Sequence, residues 1–399
     1  MKESVKLYKE MIIVSLASVI IGVIVGAIDA GFGKILIYLG EFRSENFMKL
    51  VFFLPIAGIL VIWVYRKVSK KAIKGMNLVF SVGHGEEESI PLALIPLSIA
   101  GTWMTHLFGG SAGREGVAVQ IGATVSNYIG RKIKIENASR IFLVTGMAAG
   151  FAGLFGTPIA ACFFAMEVLI VGKLDYKALL PAIIAAFSSS FTAHLLNLEK
   201  FTFNLETKLN IDVMFILKLI IVAVMFGLVG RIFSVSLKYA KEKLSNKFED
   251  PMKKIFVVGV ILSILFIIFG KGRYSGLGTN LINASFNGES IDEFDWLLKI
   301  ILTVITLAAG YQGGEVTPLF SIGCSLGVVL ANILNMPVEF IAALGYTAVF
   351  GSATNTLLAP IFIGGEVFGY EYMPYFFVVC SISYAFNGDK SIYGLQKIS

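Results

Sequence analysis

The chain returns repeatedly to apolar stretches near the length of a membrane crossing, among them Met11–Ala30, Phe52–Tyr65 and Met214–Phe233. A helix needs about 20 apolar residues to cross a hydrocarbon core, so the first and last suffice and the middle one falls short. Lipid is the main solvent for such a chain, because only 15% of its 399 residues are charged and 56% are hydrophobic. A soluble domain carries roughly 25% charged residues. The sequence therefore predicts an all-α membrane protein with a single transmembrane domain over residues 1–399 and no soluble domain after Phe386.

The apolar run Met11–Ile28 is long for a signal-peptide core, and Asp29-Ala30-Gly31-Phe32 makes a poor cleavage site, so a retained first span is expected. A net charge of +6 would suggest nucleic acid in a soluble protein. Here the bases gather in short segments, Lys2, Lys6 and Lys9, then Arg66, Lys67, Lys70, Lys71 and Lys74. That pattern points to the positive-inside rule and excludes a nucleic-acid partner. Cys162, Cys324 and Cys380 stand singly in apolar surroundings and are expected to be inert buried thiols, with neither disulfides nor zinc.

The polar stretch Asn197–Asp212 divides the sequence, and matching features recur on either side. GGSAGREGVAVQIG from Gly109 is answered by GYQGGEVTPLFSIG from Gly310, with Ile121-Gly122 and Ile322-Gly323 in register. The stretch from Gly146 is answered by one from Gly345, each interrupted by glycine and proline and closing on Glu-Val. A second half running from Asp212 to about Lys238 in the opposite sense predicts a basic loop next, and Lys238–Lys254 holds six lysines. An inverted-topology repeat over about 1–200 and 205–399 is expected, as in many transporters.

In such repeats, broken helices bring their N-termini to mid-membrane, where free N–H groups meet an anion. Glu115, between Gly113-Arg114 and Gly116-Val117, is the leading candidate, since an ionisable group at membrane depth is a functional hypothesis by default. Arg114 is expected to hold the turn. His84 beside Glu86, Glu87 and Glu88 lacks ligand spacing and is expected on a solvated loop. A membrane metalloenzyme using His84 and His106 is disfavoured, because HExxH, GxSxG and P-loop spacings are all missing from the sequence.

These motifs resemble those of the CLC family of anion channels and proton-coupled antiporters. Gly113–Val117 resembles its GREGP element, GGEVTP from Gly313 its GGxFxP element, and FGTPIAACFFAMEV from Phe155 a third. The resemblance implies a CLC-type inverted-topology repeat with broken and tilted transmembrane helices, and no cofactor. It further implies a homodimer with one anion pathway per subunit, a gating, proton-carrying glutamate at Glu115, and a pore tyrosine at Tyr393.

Departures narrow the substrate. Where chloride-type relatives have GSGIP, this chain has Gly75-Met76-Asn77-Leu78-Val79, and Val117 replaces the proline after GREG. With Thr317, these resemble the fluoride-selective branch, which implies fluoride/proton antiport in a plasma membrane, bacterial in origin, with both termini cytoplasmic. Glu167 matches the position before the second proton glutamate of chloride/proton antiporters, so Glu315 becomes the candidate second carboxyl, with the Thr317 hydroxyl beside it. Fluoride is small and strongly hydrated, and dehydrating it takes several donors. Asn77, Thr317, Tyr393 and the backbone at Gly116, Val117 and Val316 are expected to supply them, with Met76 and the Phe80 ring edge alongside. Gly75, Gly113, Arg114, Gly313 and Gly314 shape the site. A chloride/proton antiporter or chloride channel on the same fold is the alternative.

Overall fold

The computed structural model describes residues 2–399, with side chains from Tyr8 onward; the side chains of Lys2 and Lys6 lie outside the described residues. Helices follow one another in two series of similar make-up. The first runs α1 (Lys2–Leu50), α2 (Leu54–Val68), α3 (Met76–Gly83), α4 (Leu94–Leu107), α5 (Glu115–Gly130), α6 (Ala138–Phe155), α7 (Pro158–Glu167) and α8 (Leu179–Leu195). The second runs α9 (Val213–Lys247), α10 (Pro251–Ile268), α11 (Thr279–Phe286), α12 (Asp295–Ala309), α13 (Val316–Leu334), α14 (Val338–Thr354), α15 (Leu358–Phe368) and α16 (Met373–Ala385).

Each series opens on a helix too long to cross upright. α1 has 49 residues and α9 has 35, and at about 1.5 Å per residue both exceed a core of roughly 30 Å. α1 also breaks direction at Asn46 (φ −115°, ψ 18°). At the other extreme, α3, α7, α11 and α15 have 8, 10, 8 and 11 residues, too few to span. Among the described residues six helical stretches are long and apolar enough to cross a membrane, and the chain is a multi-pass membrane protein.

Some boundaries differ from expectation. The lysines Lys238–Lys247 lie on α9 rather than in a loop, because KYAKEKLSNK is made of good helix formers. The break comes at Asp250, whose side chain accepts from the Met252 and Lys253 N–H groups to cap α10 ahead of Pro251. Met76–Val79 form the first turn of α3. Gly75 caps it at φ 51°, ψ −123°, where a side chain would be strained.

The core is built on two close helix crossings. A Cβ at Gly122 of α5 would collide with the Gly146 carbonyl oxygen of α6, and one at Gly323 of α13 with the Gly345 carbonyl of α14. Small residues thus bring backbones into contact, as membrane helices require. The short helices α7 and α15 pack together with Phe163 stacked on Phe362 (centroids 4.5 Å apart). Glu167 accepts from the Leu357, Leu358 and Ala359 N–H groups (3.1, 3.1 and 2.8 Å) at the start of α15. Glu366 returns the favour to Ile159 and Ala160 (3.0 and 2.9 Å) at the start of α7. Finally β1 (Ile170–Val171) and β2 (Lys397–Ile398) pair in parallel, fastening the tail that carries Tyr393.

Candidate anion site

The turns before α5 and α13 are stitched to each other. The Gly113 N–H donates to the Gly314 carbonyl (2.6 Å) and the Gly314 N–H to the Gly113 carbonyl (2.8 Å). This approach needs glycine: Gly313 adopts φ 154°, and a Cβ there would run into Ala112.

Glu115 is the first residue of α5, 1% exposed. Its carboxylate folds across to the other half of the chain. Oε2 accepts from the Thr317 hydroxyl (2.5 Å), the Thr317 N–H (3.2 Å) and the Arg114 N–H (3.3 Å). Oε1 lies 3.7 Å from Arg114 Nε. Thr317 is in the first turn of α13, where N–H groups have no partner within the helix and the dipole is positive. A tethered anion therefore occupies a helix N-terminus, the place where a free anion binds.

Glu315, the residue capping α13, is 17% exposed at its side chain and 3.8 Å from Lys241 Nζ on α9. It lies against Gly116, where a Cβ would be 3.8 Å from Oε2. The Thr317 hydroxyl, expected beside Glu315, serves Glu115 instead, because residues two apart on a helix point to different faces.

Tyr393 is buried, and its hydroxyl has no hydrogen-bond partner among the described residues. Phe80 stacks on its ring (5.2 Å) and Phe164 meets it edge-on (6.3 Å). A cavity of about 410 Å³ is lined by Tyr393 together with Lys238, Asn355 and Gln396. A second, of about 640 Å³, is lined by Arg114. Tyr393 thus borders one cavity, and Arg114, next to Glu115 in the chain, borders the other.

The model of the voltage gated chloride channel family matches residues 57–388. The chain belongs to this family.

Among CLC relatives, it is 32% identical over 355 residues to a protein of Pseudomonas syringae pv. tomato named chloride/fluoride channel protein, covering 87% of this chain and 78% of that one. An uncharacterized protein of Methanocaldococcus jannaschii is 25% identical over 359 residues, 88% of each chain. A solved structure described as a CLC-type fluoride/proton antiporter superposes with a TM-score of 0.97 at 52% identity, covering 98% of this chain and 99% of that one. A slow cyanobacterial Cl⁻/H⁺ antiporter shares the CLC fold at a TM-score of 0.82 and 19% identity, over 95% of this chain and 96% of that one.

Of the residues singled out in the CLC motifs, the structure gathers Gly113, Arg114, Glu115, Gly116, Gly313, Gly314, Glu315, Val316 and Thr317 into one knot. Val117 and Val316 are buried, and the Val117 N–H is already taken by the Arg114 carbonyl (3.1 Å). Met76 packs on the core, and Gly75 faces Gln120 of α5. Asn77 lies exposed at the start of α3, outside the knot. His84, expected on a solvated loop, contacts the Leu395 carbonyl (2.9 Å) and the Phe80 ring. The neighbouring acids Glu86 and Glu87 pair with lysines. All three cysteines are buried and free. Sequence reasoning missed Lys241 as the partner of Glu315; a lysine on a helical extension beyond a span carries no local sign of what it will meet.

Proposed function

We propose that this protein is a secondary active fluoride/proton antiporter in which Glu115 alternates with fluoride at the start of α13. The observation that carries this is the Glu115 carboxylate itself, held by the Thr317 hydroxyl and N–H as an anion in the path would be. Ionised, it competes with fluoride for those donors. Protonated, it loses most of its attraction for them and swings aside, and fluoride takes its place. The proton leaves on one side as fluoride leaves on the other, so an inward proton gradient drives fluoride out of the cell.

Glu315 is the second carboxyl of the route, held ready by Lys241 at 3.8 Å. The unpartnered Tyr393 hydroxyl donates to the ion on its way, and Phe80 sets the angle of that ring. The likeness to a protein described as a fluoride/proton antiporter, at 52% identity over nearly the whole chain, supports fluoride as the substrate. Met76, in place of a hydroxyl-bearing serine, supports it too. The two helix series form inverted repeats within one transport domain. Two copies assemble as a homodimer in the plasma membrane of a bacterial cell, each with its own pathway and with both termini cytoplasmic.

Proteoliposomes decide the matter. A fluoride gradient should pull protons uphill with the wild type and fail to do so with Glu115→Gln. Uphill proton movement in that variant, or equal coupling to chloride in the wild type, would defeat the proposal.

A further inference from the structure

Tyr393 lies in a stretch of chain between α16 and β2 that belongs to no helix or strand. Such a segment has no regular ladder to fix it, so its position comes from the groups it meets. One set of ties runs to α14 and to the chain just after α7. The Ile392 N–H donates to the Ala353 carbonyl (2.9 Å), Gln396 Nε2 to the Val168 and Thr354 carbonyls (2.9 and 3.2 Å), and the Lys397 N–H to the Leu169 carbonyl (3.2 Å). The same stretch lines the cavity of about 410 Å³ through Ser391, Tyr393, Gly394 and Gln396. Whatever fixes this stretch therefore fixes how far Tyr393 reaches into the cavity.

Further support comes from the end of α3. His84 closes that helix, its N–H donating to the Phe80 carbonyl one turn back (2.9 Å). From there its ring makes two contacts. Nε2 lies 2.9 Å from the Leu395 carbonyl, two residues beyond Tyr393. A carbonyl can only accept, so Nε2 carries the hydrogen and donates. The ring also meets Phe80 edge-on (centroids 6.2 Å apart), and Phe80 in turn stacks on Tyr393 (5.2 Å). One imidazole is thus linked both to the backbone after Tyr393 and to its ring. Lys397 pairs with Glu86 close by (2.7 Å), but both side chains are about half exposed, and a pair so placed contributes little.

We propose that His84 is a positioning residue for transport, bracing the Tyr393 hydroxyl at the distance an anion needs. His84 touches no ion itself. The Tyr393 hydroxyl has no hydrogen-bond partner among the described residues, so its placement depends on the ring and the backbone, the two parts to which His84 is linked. A hydrogen bond weakens steeply once it is lengthened or bent, and a small shift of the tail costs affinity without unfolding the protein. The brace rests on the reading above in taking the Tyr393 hydroxyl to donate to fluoride.

The test uses the full chain, with two variants that divide the brace. His84→Phe keeps a ring against Phe80 and loses the donor, whereas His84→Gln keeps an N–H near the place of Nε2 and loses the ring. Amide hydrogen exchange over residues 392–399 reports the tail, and calorimetric titration with fluoride reports affinity. Exchange in the tail should quicken about three- to tenfold in His84→Phe, with fluoride binding weakened by a similar factor. His84→Gln should stay within about twofold of the wild type in both. In a Tyr393→Phe background His84→Phe should bring no further loss of affinity, since a residue acting through the hydroxyl has nothing left to act on. Unchanged exchange in His84→Phe overturns the brace, and so does a loosened tail with fluoride affinity intact, or an equal loss in the two His84 variants. If Tyr393→Phe binds fluoride as the wild type does, the hydroxyl is no donor, and the inference falls with that reading even where the tail loosens.

Discussion

Glu167 and Glu366 each cap the helix that carries the other. They close α7 and α15, and between them they satisfy five backbone N–H groups at two buried helix starts. Glu115 does the same at α13, so three carboxylates stand as internal anions on three helix N-termini. Glu115 differs in two ways: a side-chain hydroxyl makes its shortest bond, and the neighbouring Arg114 opens onto a cavity.

If the paired caps are structural, removing them should cost stability in proportion to the N–H groups stranded. Glu167→Ala leaves three unsatisfied and should destabilise by about 3 kcal/mol or more, Glu366→Ala by less, and the glutamine variants by intermediate amounts. Thermal unfolding in a single detergent ranks them. An unchanged Tm in Glu167→Ala would mean that the cap contributes nothing.

Thr317→Val removes the hydroxyl that meets Glu115 while keeping nearly the same shape. Fluoride flux should fall about tenfold or more, and Thr317→Ser should stay near the wild type. A fluoride electrode on proteoliposomes reads both. Equal rates for the two variants would separate the hydroxyl from transport.

Tyr393→Phe deletes a hydroxyl that bonds to none of the described residues. Stability should change by less than about 0.5 kcal/mol, while fluoride affinity drops about tenfold. Calorimetric titration beside a melting curve distinguishes this from a packing role, in which both would move.

Gly122→Ala places a methyl on the Gly146 carbonyl and should prevent α5 and α6 from docking, with loss of a monodisperse peak on gel filtration. Gly31→Ala, where a Cβ meets nothing within 4 Å, should be neutral or stabilise α1 by about 0.5–1 kcal/mol. Equal behaviour of the two would discredit the close crossing.

The helical membrane class, the broken helices and the two glycine-rich turns were legible in the sequence, because glycine and an intramembrane acid are local signals. The repeated Glu-Val endings were visible too, at Glu167 and Glu366. That each carboxylate serves the opposite helix was not, since the donors lie about 190 to 207 residues away and hydropathy says nothing of distant partners. Asp29 closes an otherwise plain apolar run, and Lys299 sits in LLKIILTV; nothing nearby announces that both are fully buried.

The two glycine crossings leave no slack between α5 and α6 or between α13 and α14. Each pair is therefore bound to move as one piece, and a glycine-to-alanine change in either would push apart two backbones rather than two side chains.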